Sequence, residues 1–219
     1  MTPATPAPLP HALWALMVGN FVIGTGVMVV PGTLNDISQS LGVSIPQAGQ
    51  LITAAAILMG LGAPAFASLV AGWDRRRLLT ISLLWYGLLT AACALAPSYA
   101  SLLPLRVLAV ISPAVFTPQA AACVGLLVRP DQRGRAITFV FLGWSVASVM
   151  GMPLSAWIGG TLGWRWAFGL VALMSVASAA WVWREMPDGI KPAALSRQAW
   201  QATVGSAPLM LAVGVTLLS

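Results

Sequence analysis

The sequence predicts an all-α membrane protein, a bundle of six transmembrane helices followed by the start of a seventh. Two observations support this fold class. Hydrophobic residues make up 58% of the 219 residues and charged residues only 7%, and the hydrophobic residues are grouped in long runs. Nine of the eleven Lys and Arg residues fall in every second gap between these runs, as expected for a chain that crosses a membrane repeatedly.

The composition excludes a soluble globular fold, because a mean hydropathy of +0.87 leaves too few polar residues to cover the surface. A net charge of +6 raises the question of a nucleic-acid partner. The basic residues, however, stand in short clusters at the ends of apolar runs, and not on one polar face. We therefore expect the lipid bilayer and its anionic headgroups as a partner, and no nucleic acid.

A span needs about 20 apolar residues as a helix. After a short N-terminal segment, 1–11, the region 12–184 supplies six spans: about 12–34, 47–70, 78–96, 101–128, 136–158 and 164–184. The first run is too long for the apolar part of a secretory signal, and no Lys or Arg precedes it. It is therefore expected to stay in the membrane as the first helix.

The basic residues also orient the spans. The gaps after about residues 70, 127 and 183 hold nine of the eleven Lys and Arg residues, whereas the gaps 35–46 and 96–100 hold none. Cytoplasmic loops retain Lys and Arg, so the three basic gaps and the N-terminus are expected in the cytoplasm.

The residues after the sixth span predict a linker to a second half of the protein. Residues 185–205 are a polar linker, expected in the cytoplasm, and 206–219 are a further apolar stretch that is too short to span a bilayer alone. A linker of this length typically joins two halves. We therefore expect the first half of a larger protein, with an incomplete seventh helix in 206–219.

The fifth span carries a small residue at every fourth position. These residues are Gly143, Ala147, Gly151, Ser155 and Gly159. Helices in lipid associate by close backbone approach, so this stripe predicts a packing face. Pro153 lies in the same helix and predicts a kink near Trp157.

Four side chains inside the spans are candidates for a substrate cavity. Arg106 either faces the bundle interior or snorkels to the outer headgroups, and the cost of placing its charge in lipid favours the interior. Asn20 either bonds across helices, the favoured role, or touches a substrate. Trp144 either fills the lipid face or lines the cavity, and both roles stay open. Met28 completes the set.

No enzyme chemistry is predicted. The only His is His11, and no Cys/His cluster, acid pair or Gly-rich phosphate loop has the spacing of a catalytic or metal site. The acidic residues all lie in loops or at the ends of spans, so no proton-relay carboxylate is expected inside this bundle. We expect no cofactor and no metal.

Five short segments follow one another in an informative order. They are Gly62-Ala63-Pro64 leading into Asp74-Arg75-Arg76-Arg77, then Arg106-Val107-Leu108, Arg133-Gly134-Arg135-Ala136, Gly151-Met152-Pro153-Leu154 and Gly163-Trp164-Arg165-Trp166-Ala167-Phe168. Together they resemble the major facilitator superfamily, in particular its bacterial drug and sugar efflux branch of arabinose-efflux-type permeases and drug:proton antiporters. The resemblance covers about residues 12–185.

The resemblance implies the N-terminal half of a twelve-helix fold, in which two six-helix halves rock about a central site, usually with proton antiport. Asp74, Arg75, Arg76 and Arg77 match the loop motif that latches the inner side. Arg106 matches the family's helix 4 arginine, which is linked to proton coupling.

Gly151 and Pro153 match the antiporter motif of the fifth helix. Two positions depart from the family pattern. Ala71 stands where the loop motif usually has an Asp, and Val27 stands where many drug exporters have an acid in the first helix.

We therefore expect a secondary transporter in the bacterial inner membrane that exports a small molecule, drug-like or sugar-like, with protons as the coupling ion. Two alternatives stay open. One is a half-length carrier that works as a homodimer, with a second copy in place of the missing C-terminal half. The other is a membrane subunit or fragment that does not transport.

Overall fold

The computed structural model describes residues 10–190, apart from the side chains at 63, 64, 67 and 68. The helices are α1 (His11–Gly32), α2 (Leu34–Leu41), α3 (Ile45–Leu69), α4 (Arg75–Ala94), α5 (Tyr99–Ala109), α6 (Ile111–Leu127), α7 (Arg133–Leu162) and α8 (Trp164–Glu185), with a 3-10 turn at Pro130–Gln132 before α7. The predicted seventh helix, nearly all of the N-terminal segment and most of the linker lie outside the described residues.

Six helical segments are long and apolar enough to cross a membrane. They are α1, α3, α4, α5 together with α6, α7 and α8. The predicted all-α bundle of six transmembrane helices is therefore confirmed for the part of the chain that the structure describes.

The first span ends before the predicted residue 34, and a short helix follows it. α1 ends at Gly32, and the Thr33 hydroxyl donates to the Val29 carbonyl at 2.8 Å. α2 then occupies residues that the sequence placed in a loop. Asp36 lies in the first turn of α2, where a carboxylate interacts favourably with the helix dipole, and Gly42 ends it with a φ of 64°.

The fourth span, predicted as one helix, consists of two segments that meet at Val110. Pro113 has no N–H to donate to the Ala109 carbonyl, and its ring crowds the preceding turn. The regular hydrogen-bond ladder is therefore interrupted just before α6. α7, by contrast, continues through Pro153 as one helix, and the kink expected near Trp157 stays a prediction.

The small-residue stripe of α7 packs against α1. A Cβ atom on Gly143 would collide with the Met17 carbonyl, and one on Gly24 of α1 would lie 2.7 Å from the Ala147 Cβ. Near the other end of this contact, a Cβ on Gly32 would lie 2.8 Å from the Met152 carbonyl. The two backbones approach so closely because glycines stand on both sides, which confirms the stripe as a packing face.

The helices differ in how far the bundle covers them. The most apolar part of α1 has 67% of its residues buried, whereas the values for α3 and α7 are 17% and 22%. α1 is therefore the central helix of the bundle. α3 and α7 each present a broad exposed face.

Candidate functional site

A pocket of about 320 Å³ lies between α3, α6 and α7. It is lined by Met59 of α3, by Pro113, Ala114, Thr117 and Pro118 of α6, and by Phe141 and Trp144 of α7. Phe141 and Trp144 stand three residues apart, so their rings lie on the same face of α7. The pocket has no charged side chain in its wall, and it can hold an apolar or aromatic group.

A hydrogen-bonded pair ties the wall of the pocket to the central helix. The Thr117 hydroxyl donates to the Asn20 side-chain oxygen at 2.9 Å, and the Asn20 amide donates to the Val140 carbonyl at 3.3 Å. Asn20 is fully buried and joins α1, α6 and α7. It therefore stands behind the pocket wall and makes the cross-helix bonds that the sequence analysis favoured.

The other predicted cavity residues lie in two different places. Trp144 lines the pocket, whereas Met28 lies at the contact of α1 with α7, where it faces Gly151. A Cβ on Gly151 would be 3.3 Å from the Met28 Cβ and 3.2 Å from the Thr25 Cα. Gly151, predicted as part of a motif with Pro153, thus belongs to the contact of α7 with α1.

Sequence reasoning did not identify Met59 and Phe141 as lining residues. Both are ordinary apolar residues of a transmembrane helix, without charge or polarity to mark them. For Phe141 one signal was present, its spacing of three residues from Trp144. For Met59 there was none, because the packing of α3 against α6 is a tertiary feature.

Arg106 is buried in the bundle, with only 3% of its surface exposed. It interacts with the Tyr86 hydroxyl, which in turn donates to the Ile23 carbonyl of α1 at 3.4 Å. Its Nε and Nη1 atoms have no hydrogen-bond partner among the described residues. The guanidinium therefore faces the interior and does not snorkel.

Asp74 organises the loop between α3 and α4. One of its carboxylate oxygens accepts from the Arg77 backbone N–H at 3.1 Å and caps α4, and the other accepts from the Gly189 N–H at 2.9 Å. The Arg75 N–H donates to the Ile190 carbonyl at 3.0 Å. The loop is thus bound to the segment that follows α8.

The arginines of this loop have different environments. Arg76 forms an ion pair of 2.6 Å with Asp188 and stacks 4.2 Å from the ring centre of Trp183. Arg75 is 4% exposed, and its Nε and Nη1 atoms have no partner among the described residues. Arg77 is exposed. The four predicted loop residues therefore lie together at one end of the bundle, apart from the pocket and from Arg106.

The sequence model of the Major Facilitator Superfamily matches residues 16–219 of this chain. The chain belongs to the major facilitator superfamily. Proteins of this superfamily are transporters and not enzymes.

Several members of the superfamily are similar in sequence. A chloramphenicol resistance protein of Streptomyces lividans is 35% identical over 85% of this chain and 47% of its own length. The inner membrane transport protein YdhP of Escherichia coli K12 is 31% identical over 82% of this chain and 46% of its own. The chloramphenicol efflux pump Rv0191 of Mycobacterium tuberculosis H37Rv is 31% identical over 76% and 40%. The chain thus spans less than half the length of these relatives.

Solved structures of the superfamily show the same fold. A bacterial homologue of the human lysosomal transporter Spinster matches with a TM-score of 0.73 and 20% identity, over 85% of this chain and 45% of its own. The proton:xylose symporter XylE matches with a TM-score of 0.72 and 14% identity, over 89% of this chain and 48% of its own. This chain therefore has the fold of one six-helix half of such a transporter.

Proposed function

We propose that this chain supplies one six-helix half of an exporter for small, uncharged, amphipathic molecules, which works by alternating access in the bacterial inner membrane. The observation that carries the proposal is the apolar pocket between α3, α6 and α7. Its wall combines two aromatic rings, a thioether and two prolines, and contains no charged group. One end of the bundle, here called the Arg-rich end, carries Arg75, Arg76, Arg77, Arg133, Arg135 and Arg184. In this proposal the Arg-rich end faces the cytoplasm, and the N-terminus lies on the same side.

The substrate class follows from the cost of burying charge. An ion moved from water into such a wall loses its hydration and finds no counter-charge there, whereas an uncharged ring gains contacts with Trp144 and Phe141. The relatives named for chloramphenicol support the same class, because chloramphenicol is an uncharged aromatic amide. A drug-like compound of this kind fits the wall better than a sugar, whose hydroxyl groups need many hydrogen-bond partners.

Protons are the proposed coupling ion, and Arg106 takes part in the coupling. An arginine stays protonated in proteins, so Arg106 cannot itself carry the transported proton. It instead provides a fixed positive charge, with two unpaired nitrogens, for a carboxylate that loses its proton during transport. No Asp or Glu is buried among the described residues, so this carboxylate belongs to the other half of the transporter.

The broad exposed faces of α3 and α7 are the surfaces on which that other half docks. The pocket lies beside both faces, so the second half would close it and share the substrate. In the complete protein the other half is a second six-helix bundle. A second copy of the chain is the alternative occupant.

Ligand binding to the purified protein tests the substrate class. Trp144→Ala removes an aromatic wall, and the loss of about 1.4 kcal/mol of ring contact weakens chloramphenicol binding about tenfold. Trp157→Ala is the matched control, because Trp157 lies on the same helix, is 64% exposed and does not line the pocket. Calorimetric titration with chloramphenicol and with the cation tetraphenylphosphonium measures both variants.

We expect chloramphenicol to bind and the cation to bind much more weakly. Tighter binding of the cation would contradict the uncharged substrate class. Equal losses in Trp144→Ala and Trp157→Ala would contradict the assignment of this pocket as the binding site.

A further inference from the structure

A second concave surface lies on the opposite side of the bundle, between α4 and α8. This groove has a volume of about 540 Å³ and shares no lining residue with the pocket of α3, α6 and α7. Its floor is apolar, with Ile81, Leu84 and Val176 as exposed lining side chains. The groove begins at the Arg-rich end of the helices and extends toward the middle of the bundle.

The groove contains one polar group that the protein itself does not satisfy. Thr80 lines the groove and is only 8% exposed, yet its hydroxyl has no hydrogen-bond partner among the described residues. A buried hydroxyl without a partner costs free energy, so such groups normally bond to protein, water or a ligand. The Thr80 hydroxyl therefore has a donor that no described residue uses, and a turn of the side chain would present it to a molecule in the groove.

Two arginines stand at the end of the groove without a carboxylate partner in the described part of the chain. Arg184 lines the groove, and Arg77 lines the polar recess next to it; Trp183 belongs to both. Both arginines are exposed, and neither forms an ion pair with a described residue. Trp183 is fixed in place by the Arg76 guanidinium, which stacks 4.2 Å from its ring centre.

Two of the three nearby carboxylates are engaged by other groups. Asp188 pairs with Arg76 at 2.6 Å, and Asp74 accepts from the backbone N–H groups of Arg77 and Gly189. Glu185, next to Arg184 in sequence, makes no ion pair with a described residue. Arg77 and Arg184 thus bring two positive charges to the end of the groove against the one unpaired carboxylate of Glu185, and this balance favours an anionic group there.

We propose that this groove binds one anionic phospholipid from the leaflet that the Arg-rich end faces. Its phosphate lies between Arg77 and Arg184, the glycerol ester region accepts from the Thr80 hydroxyl, and an acyl chain follows Ile81, Leu84 and Val176. The depths of Arg77 and Thr80 match those of the phosphate and the glycerol esters of a lipid. Thr80 lies three residues along α4 from Arg77, about 4.5 Å deeper in the membrane. Trp183 takes the interfacial position that indoles prefer, and arginine clusters between transmembrane helices are suited to lipid phosphates.

Native mass spectrometry of the complete protein, purified in neutral detergent, tests this site. The protein is titrated with phosphatidylglycerol, with phosphatidylcholine, and with phosphatidylglycerol in the presence of inorganic phosphate. Arg184→Gln removes one cation, which is expected to weaken phosphatidylglycerol binding about fivefold. Arg135→Gln is the matched control, because Arg135 is also exposed near the Arg-rich end but lies on α7, outside the groove.

Thr80→Val provides a second variant of almost the same shape. It is expected to weaken phosphatidylglycerol binding a few-fold. The unfolding temperature of the lipid-free protein should not fall, because the substitution removes a hydroxyl that has no protein partner.

The proposal is supported by tighter binding of phosphatidylglycerol than of phosphatidylcholine, with losses in Arg184→Gln and Thr80→Val only. Equal losses in Arg184→Gln and Arg135→Gln would overturn it in favour of diffuse attraction to the whole basic end. Full competition by inorganic phosphate at millimolar concentration would overturn it in favour of a site for a free anion. Equal affinity for the two lipids would overturn it in favour of an apolar surface without headgroup selectivity.

Discussion

Arg106 and Asn20 are both buried polar side chains, but they differ in how many of their polar atoms have a hydrogen-bond partner. The Asn20 side chain has partners for its oxygen and its amide on two neighbouring helices. Arg106 has a hydroxyl neighbour in Tyr86 but leaves two nitrogens without a described partner. An uncompensated buried charge is destabilising by several kcal/mol, about 3–5 where a partner has been removed. The proposed role of Arg106 in transport would account for a buried charge that the stability of this half does not need.

We predict that Arg106→Ala abolishes proton-driven export by the complete protein in everted membrane vesicles. Arg106→Met, which keeps most of the side-chain volume, should do the same while the unfolding temperature stays equal or rises, because the unpaired charge is removed. Arg135→Met, at an exposed position of α7, is the control and should transport normally. Unchanged export in Arg106→Ala would rule out the coupling role.

The residues of the candidate site were only partly predictable from the sequence. Charge and polarity marked Arg106 and Asn20, because such groups are rare in transmembrane helices. Trp144 was identified with two roles open, and only the approach of α3 and α6 to α7 places it in a pocket wall. Met59 could not be predicted, since nothing in its own helix distinguishes it from a residue that faces lipid.

Hydropathy predicts where a helix crosses the membrane but not where its backbone hydrogen bonds are interrupted. The six spans were therefore predicted with their order, whereas the break at Val110 and the helix α2 were not. The signals for both features are local and short. Pro113 removes one donor just after the break, and Gly42 supplies the positive φ that ends α2.

The contact of α1 with α7 gives a sharp prediction about packing. Gly143→Ala introduces a methyl group against the Met17 carbonyl, a backbone atom that cannot turn away, and should destabilise the protein by about 1–3 kcal/mol. Gly160→Ala is the control in the same helix, because nothing lies within 4 Å of its added methyl group. Thermal unfolding in detergent measures both variants, and an equal effect of the two substitutions would contradict the close contact.

The described residues, 10–190, form one half-transporter fold, with the candidate regions at different places. The Asp74 loop at one end binds Gly189 and Ile190, which belong to the predicted linker 185–205. The pocket and the exposed faces of α3 and α7 lie on one side, and the α4–α8 groove lies on the other. In the two proposals made above, the substrate lies where a second half can share it, and the lipid lies on a surface that faces the bilayer. Composition and charge pattern predicted the bundle, but not which of its faces would be concave.

Transport of chloramphenicol into everted vesicles from cells that produce the complete protein tests the central claim most directly. The account predicts accumulation that requires a proton gradient, stops when an uncoupler is added, and falls about tenfold in the Trp144→Ala variant at low substrate concentration. Vesicles with Trp157→Ala should accumulate the compound normally. Accumulation no greater than in vesicles without the protein, or accumulation that survives the uncoupler, would contradict the proposed function.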